Sequence, residues 1–437
     1  MTEDASRPQG PDVRTLAVIL FRACRDRRIS VEEAIEGDRQ AAGLPVRDRA
    51  LLASILLTAF RHLGEIEAVL RLLLDKPLPR KSGAAQDILI LGVAQLLFLR
   101  MPAHAVIDLS VRAAKADRNA LHFAGLVNAV LRKASGLGAS LLDGLDAARL
   151  NTPDWLWKRW TKAYGADAAQ RIGLSHAERP GLDISVREDP AHWHERLGGT
   201  LLPNGQLRLP PGHPPVPELA GFHEGGWWVQ DAAATIPVHL LGDLSGRRAL
   251  DLCAAPGGKT LQMAALGARV TAVDVSDTRL GLLRANLLRT GLAADIVATD
   301  MLSDALSGEW DAVLLDAPCS ATGTIRRHPE LPYLRQESLI AELAGLQRSM
   351  WRKAATLVAP GGRLVYSTCS LEPEEGEAQL RWFLGWDDRF ELLAPSLSWL
   401  PPESIGPGGS VRTLPFMTLG EAQGIDGFFA AVLRRKA

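Results

Sequence analysis

Cysteine is scarce in this chain of 437 residues: there are four, Cys24, Cys253, Cys319 and Cys369, and none falls in a C-x-x-C pair. That count and spacing exclude a disulfide framework and argue against a zinc site. Long apolar runs are also missing. Residues 51–60 and 88–99 carry the longest, and both are too short to span a bilayer. The first residues are polar, so no signal peptide is expected. The expectation is a cytoplasmic protein with reduced thiols, no metal and no membrane partner. An excess of one charge is lacking too, since the formal net charge is −1. Residues 1–140 nevertheless carry 20 Lys/Arg against 15 Asp/Glu, net +5, and the remainder 29 against 35, net −6. Any nucleic-acid footprint is therefore a local patch rather than a global field.

What the chain does have is one informative stretch, Arg248-Ala-Leu-Asp-Leu-Cys-Ala-Ala-Pro-Gly-Gly-Lys-Thr260. It reads as a strand, a Gly-rich turn and the start of a helix. Such a turn lets backbone approach a ligand closely and aims helix N–H groups at it. A phosphate-binding P-loop would need Gly where Cys253 stands, and Pro256 removes a donor. The dinucleotide G-x-G-x-x-G is absent. What remains is D-x-C-A-A-P-G-G-K-T, longer and more specific than either.

The length predicts two or three domains, and 47% apolar residues suffice for sizeable cores. Residues 1–12 are expected to be a flexible tail. Residues 13–140 carry helical periodicity throughout, with segments at 49–60, 66–74, 84–99, 105–116 and 120–133. Arg112, Lys115, Arg118, Arg132 and Lys133 fall on its last helices, as a solvated face or as a phosphate-binding one. Residues 136–144 read as a small-residue linker. Residues 141–240 form a linker and a small α+β module with short strands at 183–187 and 206–209. Trp155, Trp157, Trp160, Trp193, Trp227 and Trp228 in this region are core aromatics or base-stacking platforms. Residues 241–437 alternate strand and helix, with strands at 249–252, 270–275, 295–298, 311–315, 363–366 and 427–433. This is a doubly wound α/β domain whose ligands bind at the carboxyl ends of its strands.

Three acidic residues, Asp274, Asp300 and Asp316, stand at successive strand ends after the Gly-rich turn. Asp274 is placed to accept from two ribose hydroxyls, and Asp300 to meet the base end of an adenosine. No phosphate-binding cluster accompanies them, so S-adenosylmethionine is the expected cofactor. Cys319, in Asp-Ala-Pro-Cys-Ser, and Cys369, in Ser-Thr-Cys-Ser, each lie just past a strand on the ligand side. Carbon 5 of a pyrimidine is a poor nucleophile. A thiolate adding at carbon 6 makes it enamine-like and able to take a methyl group, and loss of the carbon-5 proton then expels the thiol. Asp316, held by Pro318, is the candidate donor at the ring's N3 edge, and Lys259 the candidate local charge. Cys253 reads as packing and Cys24 has no motif. Arg326 and Arg327 read equally as RNA phosphate contacts or as a structural ion pair. His328 reads as a loop residue.

These motifs resemble the Sun-type, RsmB-like family of RNA 5-cytosine methyltransferases, over nearly the whole chain. The resemblance implies a Rossmann-like class I methyltransferase domain preceded by an all-helical NusB-like RNA-binding domain. The latter is carried by His104-Ala-Val-Ile-Asp-Leu-Ser110 and Gly125-Leu-Val-Asn-Ala-Val-Leu-Arg132. It further implies that Cys253, Ala254, Ala255, Pro256, Gly257, Gly258, Lys259, Asp274, Asp300 and Asp316 bind S-adenosylmethionine. Cys369 is implied as the nucleophile and Cys319 as the aid to product release, an order that the residues alone leave open. The NusB-like part points to small-subunit (16S) ribosomal RNA as the partner, and nothing in the sequence demands more than a monomer. Two other readings stand beside this one: a non-catalytic RNA-binding factor, which has no need of two thiols, and a DNA methyltransferase.

Overall fold

The computed structural model describes residues 13–406 and 408–437, so the expected tail at 1–12 lies outside the described residues. The chain divides into two compact units. One runs through Lys158 and includes His328–Arg335; the other comprises Arg159–Arg327 and Gln336–Ala437.

The first unit is helical: Val13–Arg27, Val31–Gly37, Val46–Arg61, Leu63–Leu73, Ala85–Val93, Ala103–Ala116 and Ala124–Leu137 are its main helices. Their periodicity explains them. In Val46–Arg61 the buried Leu52, Ile55, Leu56, Ala59 and Phe60 follow the i, i+3, i+4 spacing of one face. Ser30 and Glu33 cap Val31–Gly37 reciprocally, each side chain accepting from the other's backbone N–H at 3.1 and 2.8 Å. The expected helix at 84–99 regularises only to Val93. It then widens, and the Leu99 amide bonds to the Ala94 carbonyl five residues back at 3.1 Å. The expected linker at 136–144 is largely helical instead. The Ala124–Leu137 helix runs into it, Gly138 at φ 57° ends the α-helix, and a tight turn follows to Leu142. Arg112, Lys115, Arg118, Arg132 and Lys133 are all exposed.

Among the described residues the second unit holds three sheets. In the small one, β1 (Leu182–Val186), β2 (Thr200–Leu201), β3 (Leu207–Leu209) and β4 (Trp227–Val229) run antiparallel in the order β2-β3-β1-β4. Side chains alternate across a strand, and β4 uses this. Trp227 joins Ile184, Trp193 and Leu207 in the core of the small sheet, whereas Trp228 packs with Ala254, Leu261, Leu280 and Leu283. Trp160, Trp193, Trp227 and Trp228 are thus core residues, not stacking platforms.

The large sheet contains β5 (Arg248–Leu252), β6 (Arg269–Asp274), β7 (Asp295–Ala298), β8 (Trp310–Asp316), β9 (Val358–Thr368), β10 (Phe390–Leu392) and β11 (Val411–Thr413). Two short strands, β12 (Thr418–Leu419) and β13 (Ala422–Gln423), pair as a separate hairpin. The last strand, β14 (Phe428–Arg435), rejoins the large sheet. Its order is β10-β14-β9-β8-β5-β6-β7. The five strands β7-β6-β5-β8-β9 are parallel, and β14 inserts antiparallel beside β9. This is a Rossmann-like, doubly wound architecture. The order reverses at β5, which moves outward to β6 on one side and to β8 on the other, so the crevice for a ligand opens at the carboxyl ends of these strands.

Candidate active site

The loops after β5, β6, β7, β8 and β9 line a cavity of about 420 Å³. Cys253, Ala255, Asp274, Val275, Arg279, Asp300, Met301, Asp316, Cys319 and Cys369 are among its lining residues. The register of β8 and β9 brings the two thiols together. Asp316 lies opposite Ser367, and the Ala317 amide donates to the Ser367 carbonyl at 3.0 Å. Parallel neighbours end at one edge, so the next residues of each strand emerge side by side. The sulfurs of Cys319 and Cys369 lie 3.4 Å apart. Gly323 fixes the Cys369 backbone from below. Its amide donates to the Cys369 carbonyl at 2.9 Å, and it accepts from the Gly427 amide at 2.8 Å. A Cβ at Gly323 would stand 1.8 Å from the Gly427 oxygen, so only glycine fits.

The Gly-rich turn delivers its residues unequally. Cys253, at φ 65°, and Ala255 line the cavity. Ala254 packs into the core, Pro256 is exposed, and Gly257, at φ 116°, turns the chain so that Gly258 opens the helix Gly258–Ala265. Lys259 points behind the cavity wall, where its ammonium donates to Asp316 Oδ2 at 2.7 Å and lies 5.4 Å from the Phe428 ring. Burial pulls its pKa down, but the charge and hydrogen bond of Asp316, then the charges of Asp251 and Cys369, outweigh this and raise it. Asp316 also accepts from Ser367 Oγ at 2.8 Å. Its carboxylate is therefore held from two sides.

Asp274 is buried and partly engaged. Its Oδ2 accepts from the Ala255 amide and from Arg279, each at 3.1 Å, and its Oδ1 from the Ser276 amide at 2.9 Å. Asp300 is exposed at the rim and accepts from the Leu302 amide at 2.9 Å. The hydrogen bond to Cys369 and burial, followed by the charges of Cys369 and Glu375, hold the Cys319 thiol well above its ordinary value. Burial likewise pushes the Cys253 thiol up, with Asp316 and Asp274 adding to the effect.

The sequence reading passed over four residues here. Asp251 lies in the D-x-C motif but received no role. Burial raises its pKa to about 7, assisted by the charges of Asp316 and Asp274 and opposed by Thr260, which donates to it at 2.6 Å, and by Lys259. The folded protein thus keeps a proton that the unfolded chain releases near pH 4. The stability from this group is complete below about pH 4 and is lost as pH rises through about 7. A displacement of this size corresponds to on the order of 4 kcal/mol. Asp251→Asn is expected to flatten that decline in urea unfolding between pH 4 and 8. Parallel curves for variant and parent would refute the assignment. Arg279, on the helix Asp277–Thr290 that follows β6, bridges Asp274 and the Ala255 carbonyl. Glu375 and Gln347 gather behind the cysteines, and no spacing announces them.

Arg326 and Arg327, for which two readings stood open, form structural ion pairs. Arg326 Nε donates to Asp426 at 3.1 Å. Arg327 donates to Asp426 at 3.0 Å, to the Gly181 carbonyl at 3.2 Å, and to Asp231. His328 belongs to the first unit.

Comparison with known proteins gives this geometry a family. Residues 238–434 match the model for the 16S rRNA methyltransferase RsmB/F, and residues 11–135 that of the NusB family. The ribosomal RNA small subunit methyltransferase B of Cronobacter sakazakii is 36% identical over 408 residues, which cover 89% of this chain and 91% of that one. The chain belongs to the RsmB family of ribosomal RNA methyltransferases. The methyltransferase B of Sodalis glossinidius is 38% identical over 84% of this chain and 89% of its own. The crystal structure of PH0851 superposes with a TM-score of 0.72 at 25% identity, covering 99% of this chain and 100% of that one. A methyltransferase homologue from Pyrococcus horikoshii gives 0.56 at 28% identity over 66% and 97%. Like other members of the RsmB family, the chain is an rRNA methyltransferase. Among the described residues no helix is long and apolar enough to cross a membrane, and no cluster of His, Cys, Asp or Glu is arranged to hold a metal ion.

Proposed function

We propose that the protein methylates carbon 5 of a cytosine in small-subunit ribosomal RNA, from S-adenosylmethionine, through a covalent bond between Cys369 and carbon 6. The observation that carries this reading is the pair of sulfurs 3.4 Å apart on the wall of one cavity that also holds Asp274, Asp300 and Asp316. The lining suits the cofactor. Asp300 retains acceptor capacity for hydroxyl or amine donors, and Asp274 keeps part of its own. Val275, Met301 and Leu302 offer an apolar wall for a base. When bound, S-adenosylmethionine supplies an electrophilic methyl group.

The charges around the two thiols support the order of roles. The electrostatic neighbours of Lys259 include Cys369. Glu375 acts on Cys319, and an anion nearby favours the neutral thiol. Cys369 adds to carbon 6, and Asp316, which accepts from Lys259 at 2.7 Å, is assigned to the ring's polar edge. Carbon 5 would then take the methyl group as its bond to the sulfonium sulfur breaks, leaving a neutral thioether, and would still carry its proton. Once Cys369 is bonded to carbon, its hydrogen bond and its charge no longer hold the Cys319 proton in place. These are the first and third of the influences that raise that thiol. Cys319 becomes easier to ionise at the stage that needs a base. Removal of the carbon-5 proton reforms the double bond and expels the Cys369 thiolate.

The test is incubation with methyl-labelled S-adenosylmethionine and unmodified small-subunit RNA, with DNA of the same sequence as competitor. Label in 5-methylcytosine of the RNA, undiminished by DNA, is the expected result. No incorporation would favour a non-catalytic RNA binder, and preferential labelling of DNA a DNA enzyme.

A further inference from the structure

The two cysteines whose sulfurs meet each precede a serine, Cys319-Ser320 and Cys369-Ser370, and both serines bond to one carboxylate. Glu375 is fully buried and accepts from the Ser320 amide at 3.0 Å, from Ser320 Oγ at 2.5 Å and from Ser370 Oγ at 2.6 Å. The two hydroxyl oxygens are 3.0 Å from each other. Gln347 completes the set. Its Nε2 donates to Glu375 Oε1 at 3.1 Å and to the Pro318 carbonyl at 2.9 Å, so it ties the same carboxylate to the residue before Cys319. The Glu375 carbonyl meanwhile accepts from Tyr366 Oη at 2.8 Å and from Thr368 Oγ1 at 3.3 Å, both at the end of β9. One residue therefore touches the chain on each side of the thiol pair.

A buried carboxylate is costly unless compensated. Among the described residues Glu375 makes no ion pair with a lysine or arginine, and hydrogen bonds alone compensate it. A side chain placed at that cost purely for packing has cheaper apolar substitutes. An acceptor-only group is what four converging donors require.

From this geometry we infer that Glu375 is a positioning residue: it holds Cys319 against Cys369 through Ser320 and Ser370, and so sets the step that releases the product. The inference rests on the roles given above to the two thiols. Most of its bonds go to the Cys319 side, so loss of Glu375 displaces Cys319 first. The adduct then forms and is slow to resolve. The negative charge of Glu375 also helps to keep Cys319 protonated until Cys369 is spent.

The experiment uses the full chain and the variants Glu375→Gln and Ser320→Ala. Glu375→Gln presents an amide N–H₂ to groups that are themselves donors. Ser320→Ala removes one hydroxyl and leaves the carboxylate in place. The first readout is independent of catalysis. Diamide takes two hydrogens and two electrons from a pair of adjacent thiols and leaves a disulfide, and peptide mapping reports how fast residues 319 and 369 become joined. Both variants are expected to slow this at least about tenfold, the scale on which small misplacements tell. In the second readout, with RNA and S-adenosylmethionine, kcat falls and RNA-linked protein accumulates, while cofactor Kd stays within about twofold, since no group at the cofactor rim has moved. Cross-linking rates equal to the parent's in both variants would overturn the role of Glu375, whatever the activity. Should Glu375→Gln fail to fold, Ser320→Ala decides alone. If Cys319→Ala accumulates no adduct, the assignment of the thiols fails instead, and the cross-linking rates still judge Glu375.

Discussion

Cys369→Ala is expected to lower kcat/KM by at least about 10⁴, the scale on which loss of a nucleophile tells, and to leave no protein–RNA adduct that survives SDS. Cys319→Ala is expected to do the opposite to the adduct: protein and RNA stay joined, because attack and methylation proceed and elimination does not. The contrast follows from position. Both sulfurs reach one cavity and lie 3.4 Å apart, so either could approach carbon 6 on distance alone. Their charged neighbours differ. Lys259, half-buried and held cationic by Asp316, acts on Cys369, whereas Glu375 acts on Cys319. Cys319, whose thiol is held well above its ordinary value, waits until its partner has been consumed. Denaturing gels after incubation with unmodified small-subunit RNA and S-adenosylmethionine read both outcomes. An adduct with Cys369→Ala and none with Cys319→Ala would reverse the order.

Local signals announced much of this. The alternation of apolar runs and helical stretches located the strands that became β5 to β9 and β14, because buried parallel strands leave compact apolar segments between helices. The Gly-rich turn and the strand-end Asp and Cys residues were legible for the same reason: a ligand crevice at strand ends draws on residues just past each strand. Glu375 was not legible. It sits in an acidic run, Glu372 to Glu377, that reads as a solvated face. Yet Glu372 and Glu375 are fully buried, the first bonded to Arg159 and Trp160 and the second to the cysteine loops. Partners remote in sequence turn a charge run into buried anchors, and no window sees them. The arginines after Cys319 left two readings open in the sequence, and the fold decides for the ion pair. Gly-Thr-Ile-Arg-Arg-His looks like a basic loop, and its acidic partners Asp231 and Asp426 come from remote segments.

That remote pairing makes Arg327 the residue whose loss should cost the most stability. Arg208, Arg326 and Arg327 face Asp183, Asp231 and Asp426 in a cluster of equal opposite charge. Removing one partner from a buried group of this kind leaves an uncompensated charge and costs about 3–5 kcal/mol. Arg327→Met, which keeps much of the apolar stem, is expected to lose that amount in urea unfolding followed by tryptophan fluorescence. Arg112→Met, at an exposed pair with Asp108, is expected to change stability by less than about 1 kcal/mol. The dependence on pH separates charge from packing. Burial raises the Asp231 carboxyl, but Arg327 and Arg326 outweigh it and hold it below the usual carboxylate range. A group depressed in the folded state contributes stability above its unfolded value, about 3.9, and loses it as pH falls further through its folded value. The gap between parent and Arg327→Met is therefore full at pH 7 and narrows below about pH 4. Adding Asp231→Asn to Arg327→Met should recover part of the loss at pH 7, because the stranded anion is gone. A gap that persists unchanged into acid, with no recovery in the double variant, would mean that Arg327 stabilises through its stem and not through its charge.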